Sequence, residues 1–232
     1  MKKIFLLMMA VCSLICFGSC IDELDNYEAP NAGIKGTILD AETNQPIPLP
    51  VQGSNGAVVK LYEQNTGATQ SIDFRAKMDG TYENSQVFNC EYKIVVEGPF
   101  AQPCEDMVTV HGQTVKDLKT IPYARIEANA SVSGRVVTIN YNVDLTDVSY
   151  NVSEVYGYWN FAPGVDDNGS NRAGKVTVSD TQGTITLDLS NDATFLDNLY
   201  KIKANNNKIY VRVGAKTEGK INYSTIIELT IQ

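Results

Sequence analysis

Short runs in which apolar and polar residues alternate recur along this chain, each cut off by Gly, Asn, Asp or Pro. Only one stretch places apolar residues at helical spacing. Alternation every second residue gives an extended segment one side for a core and one for water. Many such segments separated by turns build sandwiches or barrels, not helical bundles. In the first half the candidate strands are residues 34–39, 57–62, 71–74 and 92–98, with Asp79-Gly80 as a turn leading into a strand at Thr81-Tyr82. Residues 107–110 and 114–118 read as a hairpin around His111-Gly112-Gln113, which makes His111 a turn residue. In the second half the candidates are 131–141 with Gly134 at a hairpin tip, 152–161, 208–215 and 223–231. Residues 175–179 and 184–189 alternate across a Gln182-Gly183 turn. The helical spacing belongs to Phe195, Leu196, Leu199 and Ile202, enough for about two turns.

The strand pattern restarts at Ile121-Pro122-Tyr123, which reads as a linker because Pro removes a ladder donor and stiffens a junction. The expected fold is all-β, with two β-sandwich domains in tandem at 33–121 and 122–232. The second is expected to be immunoglobulin- or fibronectin-III-like.

The N-terminus carries an address. Lys2 and Lys3 precede an apolar run over residues 4–17, and small residues Gly18-Ser19 come before Cys20. A charged start, a short apolar core and small residues before a cut make a secretory signal over 1–19. The run is shorter than the ~20 residues of a permanent span. Cys20 after Gly18-Ser19 resembles a bacterial lipobox, which implies that Cys20 is acylated and anchors the protein to outer-membrane lipid. Asp22, Glu23 and Asp25 follow at once in a polar tether, 20–32. This resembles the surface-export signal of Bacteroidetes lipoproteins, implying a cell-surface location. The chain has 27 acidic and 19 basic residues, and loss of the leader removes two of the lysines, for a net charge of about −10. Nucleic acid is excluded as a partner, since its binding needs clustered Lys and Arg.

Three of the five cysteines lie at or before position 20, leaving Cys90 and Cys104. In an oxidising envelope compartment such a pair invites a disulfide. The alternative is two buried thiols acting as small apolar residues. One histidine in the chain argues against a metal site, and no cofactor motif is present. The oxygen-rich loop 165–172 lacks EF-hand spacing and reads as turn chemistry. No G-x-S-x-G elbow, H-E-x-x-H pair or phosphate loop occurs, so a non-catalytic protein is expected. Binding is the stronger expectation. Saccharides expose apolar C–H faces and hydroxyls, which flat aromatic rings and convergent amides can meet. The densest aromatic stretch is Tyr156-Gly157-Tyr158-Trp159-Asn160-Phe161, holding the single Trp. On a strand Trp159 and Phe161 share one side, the natural core choice, leaving Tyr156 and Tyr158, beside Asn160, as exposed ligand candidates. The alternative is a core Trp159 with tyrosines that merely line a sheet.

Two resemblances add to this. The segment Gly36-Thr37-Ile38-Leu39-Asp40, continuing to Thr43 and Pro46-Ile47, resembles the opening of carboxypeptidase-regulatory-like domains. Asp79-Gly80-Thr81-Tyr82 and Tyr92-Lys93-Ile94 are similar to that family's later motifs. The resemblance implies a transthyretin-like sandwich without catalytic residues of its own. Residues 121–126, 208–216 and Asn222-Tyr223-Ser224 resemble the C-terminal domain of a Bacteroidetes lipoprotein family of unknown function. That implies an accessory role beside a Sus-like polysaccharide uptake system, either binding glycan or scaffolding the transporter complex. A structural spacer or adhesive, fimbrial-type subunit is the alternative.

Overall fold

The computed structural model describes residues 28–51 and 56–231. The signal segment, Cys20 and most of the tether lie outside the described residues. Eight described strands form the N-terminal domain: β1 (Ala32–Asp40), β2 (Val58–Glu63), β3 (Ile72–Arg75), β4 (Thr81–Val87), β5 (Glu91–Glu97), β6 (Cys104–Thr109), β7 (Gln113–Val115) and β8 (Leu118–Thr120). One sheet has the order β4-β1-β7, with β8 also pairing β1. The other runs β3-β2-β5-β6. The inward sides of both, including Ile34, Ile38, Val59, Leu61, Tyr92 and Ile94, close over one core. Gly36 is required by a close approach: a Cβ there would lie 1.8 Å from the Lys116 carbonyl oxygen. That carbonyl accepts a hydrogen bond from the Tyr82 hydroxyl, across the strand pair from Gly36.

The C-terminal domain comprises β9 (Ala124–Ser133), β10 (Val136–Leu145), β11 (Val152–Asn160), β12 (Gly174–Val178), β13 (Gln182–Asp188), β14 (Lys208–Thr217), β15 (Lys220–Tyr223) and β16 (Ile227–Thr230). Its sheets are β13-β10-β9 and β12-β11-β14-β15, with β16 also on β14. The helical spacing yields two short helices, α1 (Ala193–Asp197) and α2 (Leu199–Ala204). The Asp192 carboxylate caps the first by accepting from the Phe195 N–H at 2.9 Å. Phe195 and Ile202 then face the core, where Phe195 meets Trp159 edge-on at 6.0 Å. The tandem all-β sandwich expected from the sequence is the observed fold.

The hairpin expected around His111 is not formed. The strand before His111 pairs with β5, and the one after it runs parallel to β1. Residues 110–112 therefore cross between sheets, with His111 exposed in the crossing. Likewise β12 joins β11 while β13 joins β10, so the connection near Gln182 also crosses. Alternation reports which side of a strand is buried but not which strand lies beside it. Gly134, at φ +60°, does turn a true hairpin between β9 and β10.

The expected Cys90–Cys104 disulfide is also absent. Cys104 lies opposite Val96 on the β5–β6 ladder, whereas the Cys90 carbonyl accepts from Val110 N–H at the other end. Along a strand that separation is about 20 Å, far beyond a disulfide's reach. Both are free, buried thiols. Burial pushes the Cys104 thiol up to about 11 and raises that of Cys90.

The two domains share one unit from Asn31 onward. Arg125, at the start of β9, forks onto Asp40 at the end of β1, Nε to Oδ2 at 2.6 Å and Nη2 to Oδ1 at 3.0 Å. Its Nη2 also reaches Glu42 at 2.6 Å. Asn222 donates to the Pro99 carbonyl at 2.9 Å and accepts from the Ala124 N–H at 3.2 Å. The Val51 N–H donates to Asp166 at 2.9 Å. Burial works to raise the Asp40 pKa, but hydrogen bonds from Arg125 and the Glu42 N–H outweigh it and leave the carboxyl below its usual value.

Alkylation in denaturant without reductant should label both Cys90 and Cys104, and the folded protein should resist it; a peptide cross-linked through the two would contradict the structure. Asp40 contributes stability that is complete above its unfolded pKa and lost as pH falls through its lower folded value. Arg125→Ala should therefore cost about 2 kcal/mol near neutrality. It should also shrink the part of acid destabilisation below about pH 4 that Asp40 supplies, measured by denaturant melts on falling pH.

Candidate functional site

Strand β11 is buried on both sides from Val155 to Asn160. Trp159 and Val155 enter the main core. Tyr156 and Tyr158 project the other way into a second cluster with Val165, Tyr210 and Tyr223. The two sides are those read from the sequence, but the tyrosines are not exposed: Tyr156 is 4% and Tyr158 0% accessible. The reason is the chain after β11, which folds back over this side. Asp166 anchors the loop, accepting from the Asn168 N–H at 2.8 Å and from Asn171 Nδ2, besides the Val51 N–H. Asn160 is consumed in the same way, donating to the Gly164 carbonyl at 3.1 Å and accepting from the Phe161 N–H. Asp167 pairs with Arg172 and, at 2.8 Å, with Lys175, whose Nζ sits 3.6 Å from the Tyr156 ring centre. The loop oxygens thus serve N–H donors and cations of the protein itself. Tyr156, Tyr158, Trp159 and Asn160 form no open ligand platform, which corrects the expected site. Burial drives the Tyr158 hydroxyl far above the ordinary tyrosine range.

The residue that sequence reading missed is Arg212, opposite Tyr158 on β14 and only 1% accessible. Its Nε donates to the Ser224 carbonyl at 2.7 Å and its Nη1 to the Val165 carbonyl at 3.1 Å. The guanidinium lies over the Tyr223 ring at 4.6 Å. Among the described residues no carboxylate lies within ion-pair distance, and Nη2 has no hydrogen-bond partner. Burial pulls its pKa down to about 10, against the nearby charge of Asp166, so it remains a cation at neutral pH. The sequence did hold a signal: Arg212 is the one charged residue between Ile209 and Ala215.

Arg212 also lines a cleft of about 620 Å³ between the domains. The N-terminal domain supplies Pro46 and Pro48 from the β1–β2 connection and Met78 and Asp79 from the turn before β4. The C-terminal domain adds Thr225 and Ile226. Gly80, at φ +83°, holds that turn, where a Cβ would come 2.9 Å from the Ile47 carbonyl oxygen. The cleft therefore depends on local turn chemistry on one side and a buried cation on the other. A smaller hollow of about 330 Å³ lies between Gly98-Pro99 and Lys220.

Comparison with known proteins gives a consistent picture. The chain matches the model of the DUF3823 N-terminal domain, a protein of unknown function, over residues 32–121. It matches that of the DUF3823_C domain of unknown function over 123–228. A DUF3823 family protein from Parabacteroides merdae superposes with a TM-score of 0.73 at 22% identity, covering 87% of this chain and 100% of that one. A Bacteroides uniformis protein described as "a putative carbohydrate binding protein" gives 0.71 at 24% identity, with 87% and 100% coverage. A Bacteroides ovatus DUF3823 family protein gives 0.69 at 21% identity, with 88% and 100% coverage. No curated protein matches. At these identities the superpositions speak for the fold, and the two domain models, end to end over nearly all of the described strands, place the chain in the DUF3823 family.

Proposed function

We propose that this protein is a non-catalytic, lipid-anchored protein of the outer cell surface that binds glycan in the cleft between its two sandwiches. In this reading it serves a Sus-like polysaccharide uptake system. The observation that carries the proposal is the cleft itself, about 620 Å³ with both proline-rich and polar walls. A volume of this order suits a small ligand or a few sugar units. Pro46, Pro48, Met78 and Ile226 offer apolar surface for C–H faces of a ring, while Arg212 and Asp79 offer a donor and an acceptor for its polar edge. The Bacteroides uniformis structure described as "a putative carbohydrate binding protein" points the same way. Fixed domains favour binding because a preformed site loses little freedom when it is filled. The anchor rests on Lys2, Lys3, the apolar run and Gly18-Ser19-Cys20, and the surface face on Asp22, Glu23 and Asp25.

A glycan array followed by affinity gels should yield a polysaccharide that retards the protein. Thr225→Trp, which fills the mouth from an exposed position, should weaken that binding about tenfold or more without lowering the melting temperature. Binding to no polysaccharide would favour the spacer reading instead. In cell fractionation, Cys20→Ala should move the protein from membranes to the soluble fraction; a variant that stays membrane-bound would remove the lipid anchor from the account.

A further inference from the structure

We infer that the interdomain cleft selects saccharides bearing a carboxylate, of the uronic-acid type, and that Arg212 reads that carboxylate. The inference rests on the glycan-binding reading above and narrows its ligand class. A guanidinium withdrawn from water is costly unless its charge and N–H groups are met. Here two carbonyl oxygens and the Tyr223 ring meet part of that need. The carboxylate of Asp166 acts only from beyond ion-pair range, its oxygens being engaged by Val51, Asn168 and Asn171. Nη2 is left with its donors unused, on a residue that lines the cleft. A planar, fixed guanidinium is the side chain best matched to a carboxylate, through charge-assisted hydrogen bonds.

The other charged residue of the wall narrows the ligand further. Asp79 is exposed, and its Oδ1 is held by the Thr81 N–H and hydroxyl at 3.0 and 2.7 Å. Its other oxygen remains an acceptor for hydroxyl groups. A cation with no carboxylate partner among the described residues and a carboxylate acceptor in one apolar-walled cleft call for a ligand that is both acidic and hydroxylated. Uronic acids combine a ring with C–H faces, several hydroxyls and one carboxylate. A neutral sugar would leave the Arg212 charge unanswered, and a simple anion would leave the Asp79 side empty.

The test is calorimetry on the whole folded protein with oligosaccharides of galacturonate, glucuronate and mannuronate. Each is used as the free acid and as its methyl ester, beside neutral glucan, mannan and galactan oligosaccharides. At least one acid should bind, and its ester should bind about tenfold more weakly or worse, since esterification removes the charge and keeps the ring. Thr225→Glu places a negative charge at the exposed edge of the cleft. It should weaken the acid about tenfold more than it weakens the ester. Arg212→Gln, which removes the charge and is checked for an unaltered melting temperature, should close the gap between acid and ester. Neutral sugars or esters that bind as well as the acids would overturn the carboxylate inference and leave the glycan reading standing. Binding to none of the panel, acidic or neutral, would overturn both.

Discussion

The fork between Arg125 and Asp40 is the contact on which the rest of the structure depends. It joins the end of the first strand of one sandwich to the start of the first strand of the next. Tandem sandwiches usually meet over modest, polar interfaces and move relative to one another. Here the fork, Asn222 donating to the Pro99 carbonyl, and Asp166 holding the Val51 N–H tie the domains at separate points. A cleft whose walls come from both domains has a shape only because those bonds hold.

The second consequence lies on the far side of β11 and β14. In an ordinary sandwich the outer side of each sheet meets water, with polar residues there. In this domain that side is covered by the 164–172 loop and packed with four tyrosines and an arginine. Aromatic residues with polar tips suit such a layer, because their rings bury area while their hydroxyls seek partners. Tyr156 finds Glu154 at 2.6 Å, and the Tyr223 hydroxyl accepts from the Asp167 N–H at 3.2 Å. Arg212 completes the layer by tying Val165 to Ser224, and so fixes the loop against the strand connection that borders the cleft. Packing and recognition meet in that one side chain.

Much of this was legible in the sequence. Alternation located the strands, Gly134 and Asp79-Gly80 located turns, and Phe195 with Ile202 located the helices, because each is a local consequence of backbone geometry. Pairing was not legible. The segments on either side of His111 looked like partners because they are adjacent in sequence, yet each belongs to a different sheet. For the same reason Cys90 and Cys104, close along the chain, end at opposite ends of one ladder. The site failed for a related cause. The two sides of the Tyr156–Phe161 stretch were assigned correctly, but whether a side meets water depends on a loop that folds over it. Arg212 shows the reverse: a charge inside an apolar run looks like an outward-facing residue until its cover is known.

The central claim is that ligand enters between the two sandwiches and not on the outer sheets. Hydrogen–deuterium exchange on the full protein, with and without the pooled neutral and acidic oligosaccharides, tests it most directly. Slower exchange is expected at residues 45–49, 78–80 and 225–227, which border the cleft, with little change elsewhere. No change at all, or protection confined to other surfaces such as the exposed sides of β9 and β13, would contradict the account.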